Sequence, residues 1–273
     1  MPELDTRTFQ AFRDLVYARS GIQLSEGKQS LVSARLGKRV RALGLDDFRD
    51  YLHHVESEGD GEELVQLLDA ISTNVTHFFR ESSHFDVLRK LVDHWLNQGQ
   101  RRFRFWSAAS STGEEPYTLA MVLHQCFEGQ GDIDWKILAT DISTQVLKFA
   151  DTATYPASRV RDIPPFLLDR YFDKNGRQES AVFQVKPELR RRVTFKRLNL
   201  SQPPFPLSGP LDLVMCRNVM IYFDNAVRSR LLNEFHRLLK HHGYLFVGHS
   251  ESLTGMLSSF ENKGPSVYRK EKA

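Results

Sequence analysis

Residues 104–123 read RFWSAASSTGEEPYTLAMVL, a short apolar run followed by seven small residues and then an amphipathic segment. The order predicts strand, tight loop and helix. Phe103, Phe105 and Trp106 suit a buried strand, and Ser107 to Gly113 carry so little side-chain bulk that a ligand can lie against the backbone. Glu114 and Glu115 open the helix. In a doubly wound α/β sheet such a loop sits at the carboxyl end of a strand, where free N–H groups face a crevice that takes small ligands. Phosphate is a poor fit. The loop has one glycine, no lysine and two carboxylates, unlike G-x-x-x-x-G-K-[ST] or G-x-G-x-x-G. Two acids at a helix start suit either a ligand carrying amino or hydroxyl groups or a plain acidic cap with Pro116 in the first turn.

The chain has 273 residues, enough for a small domain and a medium one. It is 41% hydrophobic and 26% charged, as in ordinary soluble proteins, and has no apolar run near the roughly 20 residues of a membrane span. The opening residues, MPELDTRTFQAFRDLV, carry acids and begin an amphipathic helix, so they do not read as a secretory signal. Cys126 and Cys216 are the only cysteines and have no partners at metal-ligand spacing, which points to a reducing cytoplasm. His77, His84, His94 and His249 are scattered, and no metal site is expected. A net charge of +3 does not by itself imply nucleic-acid binding.

Up to about residue 90 the periodicity is helical. Phe9, Phe12, Leu15 and Val16 form one apolar stripe, Leu31, Leu36, Val40 and Leu43 a second, and Phe48, Tyr51, Leu52 and Val55 a third. After Leu64 to Ile71 another helix is expected to begin near Asn74. From Phe103 onward strands and helices alternate as in a parallel sheet: Phe103–Ala108, Pro116–Cys126, Trp135–Thr140, Thr144–Ala150, Leu211–Cys216, Asn225–Leu239 and Tyr244–Gly248. Phe183–Val185 and Val193–Lys196 read as two short strands of an inserted antiparallel subdomain. The expected division is a helical domain over 1–75, a linker and helix over 76–102, and an α/β domain over 103–273 with the insertion at about 170–197.

Four positions fall at strand ends: the small-residue loop with Glu115, Asp141 in ILATDIS, Asn199-Leu200, and Arg217-Asn218 after LDLVMC. An acid after the second strand can accept both hydroxyls of a ribose or cap the next helix. Before the α/β domain, NVTHFFR places Asn74, Thr76 and Arg80 around an aromatic pair. Phe78 and Phe79 suit a core, whereas Arg80 can fork onto a carboxylate.

NVTHFFRE, WSAASSTGEEPY, ATDIS, CRNVMIYFD and GYLFVGHSES, in that order and spacing, resemble the chemotaxis receptor glutamate methyltransferases, the CheR family, over essentially the whole chain. The resemblance implies an N-terminal helical domain and a Rossmann-like methyltransferase domain carrying a small β subdomain. It implies S-adenosylmethionine-dependent methylation of glutamate side chains on chemoreceptor cytoplasmic helices. Carried onto matching positions, it implies cofactor contacts from Asn74, Thr76, Arg80, Ala109, Glu115, Asp141, Asn199, Leu200, Arg217 and Asn218. Chemistry suits Glu115 to the cofactor's amino group, Arg80 to its carboxylate, Asp141 to the ribose, and the Asn199-Leu200 loop with Ile142 to the adenine. Of the two adjacent acids, the resemblance favours Glu115.

A glutamate acceptor of pKa about 4.3 is ionised at pH 7 and needs no general base. Arg80 and Tyr222 are the candidates for the reacting centre, Tyr222 holding the acceptor carboxylate or else packing in the core. Lys28, Arg35 and Arg39, with Lys38 alongside, share one face of the second helix. Such a face is either solvated or, given an acidic receptor bundle as substrate, a docking surface. The expected partners are receptor cytoplasmic domains, with a C-terminal receptor tether left open, and the expected state is a cytoplasmic monomer recruited to receptor arrays. Two other readings are a methyltransferase of another acceptor such as RNA, for which no continuous basic track with exposed aromatics is visible, and a non-catalytic cofactor-sensing module.

Overall fold

The computed structural model describes residues 3–59, 61–176, 181–251, 253, 255–256 and 259–271. Ser252, at the end of GYLFVGHSES, and residues 177–180 of the expected subdomain lie outside these. Four helices come first, α1 (Thr6–Ser20), α2 (Gln29–Ala42), α3 (Phe48–Glu58) and α4 (Glu62–Ile71). They bury Phe9, Phe12, Val16, Val32, Leu36, Val40, Phe48, Tyr51, Val55, Leu67 and Leu68 in one core. Aspartates cap two of them: Asp5 accepts the Thr8 amide of α1, and Asp47 those of Arg49 and Asp50 in α3. A cap of this kind contributes about 1 kcal/mol. The expected stripe on α2 is shifted by one residue. Val32 takes the inward place, and Leu31 and Leu43 are exposed.

No helix begins at Asn74. Ser72 to His77 is irregular, two non-glycine residues, Phe79 and Glu81, adopt positive φ, and α5 starts only at Ser83, running to Asn97. Two aromatics at 78 and 79 mimic a helical stripe, but they diverge: Phe78 is fully buried against Tyr155 and Phe172, whereas Phe79 is half-buried and lines the cleft described below.

The remaining elements are β1 (Arg102–Ala108), α6 (Glu114–Phe127), β2 (Asp134–Asp141), α7 (Thr144–Thr152), β3 (Thr154–Pro156), α8 (Pro165–Tyr171), β4 (Phe172–Asn175), β5 (Val182–Val185), α9 (Pro187–Arg190), β6 (Val193–Arg197), β7 (Leu211–Cys216), α10 (Asn225–Leu238), β8 (Leu239–Val247), β9 (Phe260–Gly264) and β10 (Val267–Lys270). The main sheet runs β6-β2-β1-β7-β8-β10-β9. Its first five strands are parallel and β10 is antiparallel between β8 and β9. Alternation on β1 sends Phe103 and Phe105 into the core under α5 and α6, and Trp106 and Ala108 into the core under α10. Full burial of each large side chain is worth roughly 2–3 kcal/mol.

The inserted sheet differs from the expectation. Val193–Arg197 pairs in parallel with β2 as an edge of the main sheet, and the small antiparallel sheet is β3-β5-β4. Thr154–Pro156 supplies its third strand, so the unit begins near 154 and closes at 185 rather than spanning 170–197. A strand of three residues with a proline carries almost no alternation to read. The β9–β10 hairpin was equally silent in the sequence.

Candidate functional site: a cleft at the carboxyl ends of the strands

The β1–α6 loop is built on unusual backbone. Ala109 and Ser111 adopt φ of 67° and 48°, and Gly113 adopts 95°. A Cβ at Gly113 would lie 2.7 Å from the Tyr155 hydroxyl and 2.9 Å from Ala150 Cβ, so glycine is required both by conformation and by space. The loop amides are largely engaged within the protein. Ser110 N–H donates to the Thr140 carbonyl at 2.8 Å, Ser111 N–H to Asp141 Oδ2 at 2.9 Å, and Gly113 N–H to the Ser110 carbonyl at 3.1 Å. The loop therefore offers shape and side chains more than bare donors.

The two glutamates separate cleanly. Glu114 points away from the cleft, its side chain 1% exposed, accepting from Thr112 Oγ1 at 2.6 Å and pairing with Arg159 at 2.7 Å. Glu115 lines the cleft. Its Oε1 accepts from Ser107 Oγ at 2.7 Å, and its Oε2 stands 3.5 Å from Arg217 Nε. Burial pushes its carboxyl above the usual range, and Arg217 and Ser107 only partly offset this. Asp141, at the end of β2, is likewise raised by burial although each oxygen accepts a backbone N–H, from Ser111 and Ser143.

The cleft encloses about 1130 Å³, part of it open to solvent. Asn74, Thr76, Arg80, Ala109, Glu115, Asp141, Asn199, Leu200, Arg217, Asn218 and Tyr222 all line it, although the sequence scatters them over 149 positions of chain. Arg217 is 2% exposed at its side chain, donates to the Arg80 carbonyl at 2.5 Å and keeps Nη1 without a partner among the described residues. Tyr222 is half-buried in a 3₁₀ turn over Met220–Tyr222, not in the core. Asn199 is tied back to the Arg19 carbonyl at 2.7 Å, which fixes the loop carrying Leu200.

Lys28 also belongs here rather than to a remote docking face, with Nζ 5.5 Å from the centre of the Tyr222 ring. Arg35, Lys38 and Arg39 lie outside the cleft. Arg35 Nη1 donates to the carbonyls of Ala70, Ile71 and Ser72, closing the end of α4. Arg39 forms a two-pronged pair with buried Glu63, at 2.9 and 2.5 Å. Of the helical basic set only Lys38 is exposed and free of a described partner. The expected docking face is thus mostly internal architecture, because spacing on a helix gives direction but not what packs against it.

Two cleft residues had no sequence signal: Gln23 enters from the loop after α1, and Thr118 from α6. Glu81, which pairs with Arg217 at 3.4 Å and accepts from Asn218 Nδ2 at 3.2 Å, stood in plain view as the last residue of NVTHFFRE.

A parallel sheet closed by an antiparallel β10, with one acidic side chain at the start of α6 and another at the end of β2 facing one cleft, defines a Rossmann-like S-adenosylmethionine-dependent methyltransferase. The comparisons with known proteins make this particular. The chain belongs to the CheR methyltransferase family: residues 74–268 match its SAM-binding domain and residues 7–72 its all-alpha domain. It is 42% identical over 262 residues to the chemotaxis protein methyltransferase of Borreliella burgdorferi, covering 94% of this chain and 91% of that one. The chemotaxis protein methyltransferase of Salmonella typhimurium is 39% identical over 260 residues, 95% and 88% of the two chains. Chemotaxis protein methyltransferase 2 of Pseudomonas aeruginosa is 40% identical over 260 residues, 95% and 91%. S-adenosylmethionine is accordingly the cofactor, and the cleft fits it: buried, partnerless Arg217 Nη1 can meet a carboxylate, and raised Glu115 can regain its charge beside an ammonium. No helix among the described residues is long and apolar enough to cross a membrane.

Proposed function

We propose that the chain is a protein-glutamate O-methyltransferase that esterifies acidic side chains on chemoreceptor cytoplasmic helices. The observation that carries this reading is the polarity of the cleft. Glu115, Arg217 and Arg80 form a zwitterion-binding corner, Asp141 with Ile142 and Leu200 a nucleoside wall, and Lys28 with Tyr222 a third corner. Glu115 holds the amino group, Arg80 and Arg217 the carboxylate, Asp141 the ribose hydroxyls, and Ile142 and Leu200 the adenine faces, with Asn74, Thr76, Ala109, Asn199 and Asn218 completing the wall. When bound, the cofactor supplies an electrophilic sulfonium methyl.

The protein's own part is to align and to desolvate. An acceptor glutamate arrives ionised, so no side chain has to remove a proton. Lys28 Nζ and the Tyr222 hydroxyl orient its carboxylate, and the apolar wall excludes water that would weaken both contacts. Cofactor carrying a tritiated methyl, mixed with receptor-enriched membranes, is expected to leave label on the receptors that mild base releases as methanol. Label on RNA instead, or no label while cofactor binding is normal, would overturn the assignment.

A further inference from the structure

Glu81, His84 and His249 come from distant parts of the chain, and the two histidines read as unrelated in the sequence. The positive φ of Glu81, 53°, turns its side chain over the first turn of α5, three residues before His84, while the residues after β8 bring His249 across. One carboxylate oxygen and one nitrogen from each ring all lie within 4.8 Å of one another. The rings meet edge to face with centroids 4.9 Å apart, and His84 Nδ1 is 3.6 Å from Glu81 Oε2.

His84 is 1% exposed, yet its ring nitrogens make no well-formed hydrogen bond among the described residues beyond a marginal approach to the Pro265 backbone, and Glu81 Oε2 is held only by Arg217 Nε at 3.4 Å. Buried polar atoms are ordinarily paired, so two imidazole nitrogens and a carboxylate oxygen this weakly engaged at one point mark a place for a further partner. A buried imidazole, a second imidazole on an exposed residue and one carboxylate are the donor set of borderline divalent metals, with a coordination position left for solvent. Metal–ligand bonds of about 2.0–2.2 Å require the three atoms to close in by roughly 1 Å, which rotation of the exposed His249 side chain allows.

We propose that Glu81, His84 and His249 form a binding site for a divalent transition metal of the zinc class on the flank of the cofactor cleft. The Arg217 guanidinium next to the site opposes a cation. It already faces the carboxylates of Glu81 and Glu115, at 3.4 and 3.5 Å. A metal on Glu81 competes with Arg217 and Asn218, both of which line the cleft, so occupancy of the site is felt by the cofactor. Arg217 retains Glu115 in either state.

The test uses the full chain, stripped with chelator and titrated with Co²⁺ while its ligand-field absorption is followed, and with Zn²⁺ by calorimetry. About one equivalent is expected to bind, giving the spectrum of a four- or five-coordinate ion. His249→Ala, at an exposed position, is expected to weaken binding at least tenfold, and His249→Cys to add a sulfur-to-metal charge-transfer band. A control removes a different histidine pair, His241 and His242, whose rings stack at 3.7 Å on β8. The proposal fails if neither metal binds, if His249→Cys adds no such band, or if binding survives His249→Ala but disappears in His241→Ala/His242→Ala.

Discussion

At the scale of single residues, two neighbouring carboxylates have opposite fates. Glu115→Gln keeps the shape of the cleft and removes the charge proposed to meet the ammonium, so cofactor affinity measured by calorimetry is expected to fall about 10- to 100-fold with little change in melting temperature. Glu114→Ala removes a buried acceptor of Thr112 and the partner of Arg159, whose half-exposed side chain water can re-solvate, and is expected to cost about 1–2 kcal/mol of stability in denaturant unfolding. The reverse pattern would exchange their roles. His84 gives a pH dependence. Folded, it stays neutral down to about pH 4; unfolded, it protonates near 6.5. Between those values the unfolded chain binds more protons, so stability rises with pH across the window and is lost as pH falls from 6.5 toward 4, by at most about 3 kcal/mol. In chelator, His84→Gln should flatten that part of the curve, and an unchanged slope would assign acid sensitivity elsewhere. Sequence made Glu115, Asp141 and Arg217 visible because each follows an apolar strand. It could not make Glu81 and His84 visible as a pair with His249, because positive φ at a glutamate is not written in any local pattern.

At the scale of elements, the basic residues of α2 show how periodicity can mislead. Spacing puts Arg35 and Arg39 on one face correctly, but that face meets α4, where Arg35 caps the final carbonyls and Arg39 neutralises Glu63. Charge reversal at Arg39 strands Glu63, which is 7% exposed at its side chain, and is expected to cost about 3 kcal/mol or more. A loss of receptor methylation in that variant would report unfolding as much as docking. Lys38→Glu is the cleaner probe: methylation of receptors is expected to fall while melting temperature and cofactor affinity hold. Strand and helix identities from Phe103 onward were legible because long elements repeat their pattern. β3, β4, β9 and β10 were not, since three to five residues next to glycine or proline give alternation too little length. The exchange of Val193–Arg197 from the small sheet to the main one is a question of pairing, which no single strand's composition settles.

For the whole molecule, the helical domain and the sheet domain are bound through polar contacts that converge on the cleft. Tyr17 hydrogen-bonds Asp224, the cap of α10; Gln23 N–H donates to the Tyr222 carbonyl at 2.8 Å; and Ser111 Oγ reaches the Asn74 carbonyl at 3.3 Å. Asp69 of α4 is the most telling of these. It is 8% exposed and accepts from the Thr144 amide and hydroxyl and the Gln145 amide, supplementing Ser143 as the cap of α7. Asp69→Ala is expected to cost about 1–2 kcal/mol of stability and also to weaken cofactor binding severalfold, because α7 follows directly on Asp141 and Ile142. Calorimetry on a variant that still melts cooperatively would check both. The division into a helical part and an α/β part could be read from the change of period near residue 103, but this seam could not, since it is made of isolated polar groups.

The path of the cleft wall has a practical consequence. Gln23, Leu24 and Lys28 stand on the far side of the family boundary between residues 72 and 74, yet line the same cleft as Asp141 and Asn199. The segment named for cofactor binding is therefore only part of the container. A ligand seated there touches both halves at once and works as a staple, so loading it should raise the melting temperature of the helical half along with the sheet, and anything that pries the halves apart should eject it.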